Sequence, residues 1–137
     1  MAAGAGCLCG AVRIEISGEP LMVRACWCRD CQYWAAGNAT VNVVYRKTDL
    51  TITGEPAWYE SDADSGNHMR RGFCSKCGSQ LFSSGSAWPD ILIVRAGAHD
   101  DPASVPPRMT IWTASAPSWA PIDPALPRFE GQPPPVG

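Results

Sequence analysis

The chain has 137 residues and a formal net charge of −2, with a pI near 5.6. That length holds one domain's worth of core, and the mildly acidic balance offers no basic field for gripping phosphates, which sets nucleic acid aside as a partner. Charged residues make up only 18% of the chain while tryptophan occurs six times, a balance that points to aromatic walls around a pocket or an interface.

The opening residues, Met1-Ala2-Ala3-Gly4-Ala5-Gly6, show no basic region followed by an apolar run, so no secretory signal is expected. Nowhere do about eighteen apolar residues follow one another, so no membrane span is expected, and a cytoplasmic location is. The first cysteine pair, Cys7-Leu8-Cys9-Gly10, opens onto residues 11–16, where apolar and charged residues alternate with period two. In an extended segment Cys7 and Cys9 would share a face and both sulfurs could reach one metal ion. A second extended piece, 21–25, runs into Cys26-Trp27-Cys28-Arg29-Asp30-Cys31. Residues 32–36 then predict one helical turn closed by Gly37, with Tyr33 and Trp34 flanking the cysteines.

A strand-rich meander follows. Residues 40–45, 50–53 and 58–60 are expected strands, separated by turn residues such as Gly54-Glu55-Pro56. A polar loop at 62–67 turns the chain into a strand at 68–73, which delivers Cys74-Ser75-Lys76-Cys77-Gly78. Strands at 80–82, 90–96 and 108–113 complete the set, the second being the most apolar. So many short strands with hardly a helical period predict an all-β domain. We expect one domain over 1–130 and a Pro-rich tail over 131–137 that wraps the surface or stays mobile. No internal repeat is visible.

The seven cysteines carry the chemistry. Seven is odd, no export signal is seen and the spacings are those of metal ligands, so ligation is a better reading than disulfides. They divide as three, two and two. Cys74-x-x-Cys77-Gly78 reads as the turn of a zinc knuckle, its glycine permitting a tight backbone. A redox role for that pair would call for a βαβ setting, which is lacking. With Cys7 and Cys9 it makes a closed, four-sulfur structural site. Cys26, Cys28 and Cys31 make a second site that is one ligand short. His68 or His99 could complete it, or the fourth position belongs to water or a substrate thiolate. Zinc on three thiolates carries a formal charge of −1, which makes it a modest Lewis acid and a good partner for soft sulfur. Three cysteines with no fourth are a poor set for an iron–sulfur cluster.

Three stretches resemble the glutathione-dependent formaldehyde-activating enzyme family, whose domain also occurs in centromere protein V. They are C-x-C-G-A-V at 7–12, C-x-C-x-x-C at 26–31 and R-x-F-C-x-x-C-G-S-x-L-F at 71–82. Ile111-Trp112, Trp119 and Leu126-Pro127-Arg128-Phe129-Glu130 are similar to the same family's C-terminal half. The resemblance implies a β-tent fold of small antiparallel sheets around zinc. It implies two Zn²⁺ per chain, a structural one on Cys7, Cys9, Cys74 and Cys77 and a catalytic one on Cys26, Cys28 and Cys31. The implied activity is that of a carbon–sulfur lyase, adding the thiol of glutathione to formaldehyde to give S-hydroxymethylglutathione. This chain departs from the family pattern at Trp27, where members often carry His, and at His99, within a turn that often reads Gly-Thr-Leu-Asp.

Glutathione or another small thiol would bring carboxylates, and Arg29, Arg70 and Arg71 are the candidates to meet them. Among Trp27, Tyr33, Trp34 and Trp88, Trp27 is the best candidate for a substrate wall, because it is locked between two ligands. Asp30 either orients a ligand or caps the following turn, with the cap favoured. Two functions are consistent with these residues: a zinc enzyme acting on a small thiol adduct or carbonyl compound, and a non-catalytic zinc-stabilised β module that binds a protein partner. An incomplete second site favours the enzyme.

Overall fold

A computed structural model of the chain describes residues 3–63 and 65–135. Its regular structure is β1 (Ala3–Gly6), β2 (Arg13–Ile16), β3 (Met22–Cys26), α1 (Arg29–Trp34), β4 (Thr40–Arg46), β5 (Leu50–Thr53), β6 (Ala57–Asp62), β7 (His68–Phe73), β8 (Gln80–Gly85), β9 (Ile91–Arg95) and β10 (Met109–Ile111), with four short 3₁₀ turns. The all-β reading holds. Two sheets form, a three-stranded one in the order β1-β2-β5 and a seven-stranded one in the order β10-β3-β4-β9-β8-β7-β6. Every pairing is antiparallel except β10 on β3, which is parallel.

Alternation with period two decides which residues meet. On β2 the charged Arg13 and Glu15 point out while Ile14 and Ile16 are buried. In the large sheet Val23, Val43, Val94 and Phe82 lie opposite one another on successive strands, and together with Ile14 and Ile16 they fill the main core. A one-residue step along each strand reaches the other face. There Arg24 lies opposite Asn42 and Asn42 opposite Arg95, while Arg71 lies opposite Ser83 and Ser83 opposite Ile93. These four polar and charged side chains and Ser83 are buried all the same. The large sheet thus has an apolar inner face and a second covered face that is strongly polar.

Three local expectations change. Strand β1 has no counterpart in the sequence reading, because Ala and Gly carry no pattern. It forms by pairing with β2 and accommodates the Arg13 guanidinium, which lies over Gly4 and Gly6 on its way to a two-pronged pair with Asp100. The segment at Cys7 is a tight turn, not an extended one, closed by the Gly10 amide donating to the Cys7 carbonyl at 3.1 Å. The helix begins inside the cysteine triple, at Arg29 and not at residue 32, because the Cys28 sulfur acts as its N-cap and accepts from the Cys31 amide at 3.3 Å. It ends at Trp34, two residues short of the expected limit, while Gly37 closes the turn as expected, its amide donating to the Gln32 carbonyl at 2.7 Å. No helix among the described residues is long and apolar enough to cross a membrane.

Gly72 sits where a side chain would not fit. The Trp58 and Phe82 rings stack across it, with centroids 5.6 Å apart, and a Cβ at this position would lie 2.9 Å from both rings. Gly72→Ala is therefore expected to destabilise the fold by about 1–3 kcal/mol through overpacking, measurable by denaturant unfolding. His68, on the exposed side of the β6–β7 hairpin, is held by the Glu60 and Asp62 carboxylates at 2.9 Å each. They raise its pKa above the ordinary value, Glu60 first and Asp62 next. A raised folded-state pKa means that this stabilisation is complete below about pH 6.5 and fades as pH climbs through the folded value. NMR titration of His68 should show a midpoint above about 6.5 that falls in Glu60→Gln, and that variant should lose more stability at pH 6 than at pH 9.

Candidate functional site

Cys26 ends β3, Cys28 caps α1 and Cys31 lies in its first turn, so strand end, cap and helix bring the three sulfurs within 4.8 Å of one another. Cys26 and Cys31 are buried and Cys28 is half-buried. Hydrogen bonds from the Cys26 and Cys28 thiols pull the Cys31 thiol far below its ordinary pKa, helped by the Arg95 guanidinium. The same sharing pushes Cys26 well up. One thiolate held by two thiols is what a set of metal ligands looks like before an ion displaces the remaining protons.

The other four cysteines gather at a distance along the sheet. The turn after β1 carries Cys7 and Cys9, and the turn between β7 and β8 carries Cys74 and Cys77; their sulfurs also lie within 4.8 Å of one another. The Cys7–Cys9 and Cys9–Cys74 sulfurs are each 3.7 Å apart. Both turns end in a glycine in the left-handed region, Gly10 at φ 82° and Gly78 at φ 77°, a conformation other residues resist. Backbone and hydroxyl groups support the sulfurs. The Val12 amide donates to Cys7 at 3.2 Å, and Ser79, 3.2 Å from Cys77, draws that thiol down to about 5. Both clusters could hold a metal ion. Among the described residues no histidine or carboxylate joins either one.

Neither histidine completes the triad. His68 is occupied by Glu60 and Asp62. His99 is buried with its Nδ1 donating to the Arg95 carbonyl at 3.0 Å, which leaves Nε2 to accept from the Tyr45 hydroxyl at 2.8 Å. Burial pushes that phenol's pKa up to about 12, which keeps it a donor. Trp27 is not a substrate wall either. It is 1% exposed and packs edge-on against Trp119, its amide bonded to the Ile111 carbonyl. The strand-to-helix bend at Cys26–Arg29 turns alternate side chains to opposite sides, so the residue between two ligands faces the core. Asp30 leaves the cap to Cys28 and reaches Arg71 at 3.7 Å.

Beside the triad lies a cavity of about 570 Å³. Its floor is the polar face of the large sheet, with Arg24, Asn42, Ser83, Arg71 and Arg95 among Val44, Met69 and Ile93. Cys26, Cys28 and Cys31 form one end with Arg29, Asp30 and Ile111. Trp88, Trp112 and the 65–67 turn close the sides. The proline-rich segment is part of the wall: Gln132, Pro133 and Pro135 line the cavity, Pro133 is buried, and the Trp112 indole donates to the Gln132 side chain at 3.2 Å. None of the four remaining cysteines touches this space.

Of the arginines singled out from sequence, Arg29 and Arg71 line the cavity, whereas Arg70 points the other way and lies over the Trp58 ring at 4.5 Å. Arg24 and Arg95 were missed. The available signal was a charge at an inward position of an otherwise apolar strand, and Arg24 stands two residues before Cys26, on the same face.

The family model for the glutathione-dependent formaldehyde-activating enzyme matches residues 2–115. A Halomonas elongata protein named "Putative glutathione-dependent formaldehyde-activating enzyme" is 29% identical over 123 residues, covering 85% of this chain and 78% of the relative. A crystal structure of a Rhodobacter sphaeroides protein superposes with a TM-score of 0.58 at 22% identity, over 74% of this chain and 93% of the other, a likeness of fold. With a sequence match over most of its length and both cysteine clusters assembled, the chain belongs to the glutathione-dependent formaldehyde-activating enzyme family.

Proposed function

We propose that this is a zinc enzyme of carbon–sulfur lyase type, acting on a small thiol adduct or carbonyl compound at the three-cysteine site and resembling S-(hydroxymethyl)glutathione synthase. One observation carries the reading: among the described residues the 570 Å³ cavity is lined by all three cysteines of the incomplete cluster and by none of the complete one. The named activity of the Halomonas relative supports it.

The donor sets fit zinc. Zinc–sulfur bonds of about 2.3 Å in a tetrahedron give sulfur–sulfur edges of about 3.8 Å, close to the 3.7 Å found in the four-sulfur cluster. Cys7, Cys9, Cys74 and Cys77 would hold a structural ion, and Cys26, Cys28 and Cys31 a second one with a ligand position to spare. Bound there, that ion supplies a soft site for a substrate thiolate and a charge that polarises a carbonyl oxygen.

The chain's own residues do the rest. In the addition, sulfur bonds to the carbonyl carbon, the carbon–oxygen double bond becomes single, and the thiol proton ends on oxygen; the lyase direction is the reverse. Ile111, Trp112, Ile93 and Met69 shield the reacting atoms from water, and the arginines on the floor offer hydrogen bonds to acidic groups away from them. Holding both reactants in one cavity replaces a bimolecular encounter with a local one. Residues 1–130 act as the unit that builds the site, and Gln132, Pro133 and Pro135 of the segment that follows add to its wall.

Metal analysis of the purified chain should find two zinc ions. Cys74→Ser should unfold the chain or lower its melting temperature steeply, since a structural ion contributes directly to folding. Cys28→Ser should keep the fold and one ion. In the cobalt-substituted protein, added thiol should shift the thiolate-to-metal absorption of one ion only, and the shift should vanish in Cys28→Ser. If no thiol or carbonyl compound perturbs either ion, the enzyme reading fails and a non-catalytic, partner-binding β module takes its place.

A further inference from the structure

Two consecutive residues, Ile111 and Trp112, both line the cavity. Extended backbone sends neighbouring side chains to opposite faces, so the chain has to leave the strand conformation to bring them together. It does so at Trp112, whose φ of 58° and ψ of 36° lie in the left-handed region that bulky residues resist. Strain of that kind persists only where the surroundings enforce it, and it gathers at ligand clamps. Here the C-terminal chain enforces it. The Thr113 amide donates to the Phe129 carbonyl at 3.1 Å, the Trp112 amide to the Gly131 carbonyl at 3.3 Å and the Trp112 indole to the Gln132 side chain at 3.2 Å.

After Gln132 the attachment changes character. Pro133, Pro134 and Pro135 have no N–H to donate, and among the described residues no hydrogen bond reaches any of them. Pro133 is buried and lines the cavity together with Pro135, so this arm lies against the body by packing alone. Proline runs favour a stiff, extended form, in which three residues reach about 9 Å. That is comparable to the breadth of a rounded space of 570 Å³. The last hydrogen bond before the arm is the one between Trp112 and Gln132. The family match covers residues 2–115, and the arm lies outside it.

We infer that Trp112 and Gln132 form a specificity-determining latch. It holds the proline arm across the cavity and restricts the three-cysteine site to free thiols of up to about tripeptide size, excluding a cysteine within a longer polypeptide. The reason is one of connectivity. A small thiol is enclosed whole, whereas a cysteine in a long chain has backbone leaving on both sides, and that backbone can leave only by displacing part of the cover. The place where sulfur binds is taken from the proposed function, whereas the latch rests on its own hydrogen bonds and on the left-handed turn at Trp112.

The test uses the cobalt-substituted full chain, whose thiolate-to-metal absorption reports sulfur binding. Two neutral thiols are compared: a capped Gly-Cys-Gly tripeptide, and a capped nonapeptide with the same tripeptide at its centre between glycine–serine flanks. The wild-type chain should bind the tripeptide about tenfold more tightly. Gln132→Ala, and Trp112→Phe, which keeps a ring but loses the donor, should each shrink that gap to about twofold. The double variant should go no further than either single one, because both remove the same bond. By NMR, the Trp112 indole proton, assigned by its loss in Trp112→Phe, should exchange with solvent faster in Gln132→Ala, and the same spectra show that each variant keeps its fold. Equal affinity for the two peptides in the wild-type chain would overturn the inference, with no variant needed, as would a gap that survives both substitutions. If both peptides shift the absorption equally, the sulfur chemistry stands and the latch falls. If neither they nor any other thiol shifts it, the sulfur chemistry falls and the selection falls with it.

Discussion

The period-two geometry of a β-strand obliges a covered sheet to find an occupant for each of its faces. In the seven-stranded sheet one face is satisfied by hydrocarbon: Val23, Val43, Val94 and Phe82 meet Ile14 and Ile16 of the smaller sheet. The other face carries Arg24, Asn42, Arg71 and Arg95, which no hydrocarbon layer could accept. It is covered instead by α1, the 65–67 turn and the proline segment, which stand off far enough to leave a chamber. The cavity therefore follows from the fold. It is the arrangement by which a sheet can cover a charged face without driving it into an apolar layer.

The two sulfur clusters occupy different media, and this separates their roles physically. Cys7 and Cys74 belong to the main core, and their turns join the start of the chain to the β7–β8 connection, so anything that bridges the four sulfurs braces both sheets. Cys26 and Cys31 belong to a smaller cluster with Ile111, Met109, Trp112 and Phe129, at the edge of the charged chamber. The four sulfurs can complete a tetrahedron by themselves, with Cys9 exposed and Cys77 half-buried. The three sulfurs leave one ligand position over, and their neighbours include a cavity.

How much of this was legible depended on the range of the interactions. The cysteine partition could be read directly: spacing within each motif is a local property, and a division into three, two and two leaves the two pairs for each other across 65 residues, where they are found. The strands with β-branched alternation were also visible, since 40–45, 50–53 and 68–73 sit within a residue of β4, β5 and β7. Strand β1 was invisible because Ala3-Gly4-Ala5-Gly6 has no side-chain pattern and forms only through its partner. Trp27 misled for a geometric reason, as adjacency to two ligands says nothing about which way a bend turns the residue between them. The floor of the cavity was hidden for the opposite reason. Arg24, Asn42 and Arg95 are 18 and 53 residues apart along the chain and become neighbours only through register.

The parallel pairing of β10 with β3 has a bearing on biosynthesis. Met109, Thr110 and Ile111 dock beside Arg24, Ala25 and Cys26, and Thr110 is bridged in turn by Arg128, so the wall next to the triad waits for residues more than 80 positions further along the chain. The three thiols themselves span only six residues and emerge from the ribosome together. Contacts of such unequal sequence separation form on different clocks, the near ones first. A nascent chain would thus present the three thiols of the triad together well before it owns the chamber beside them.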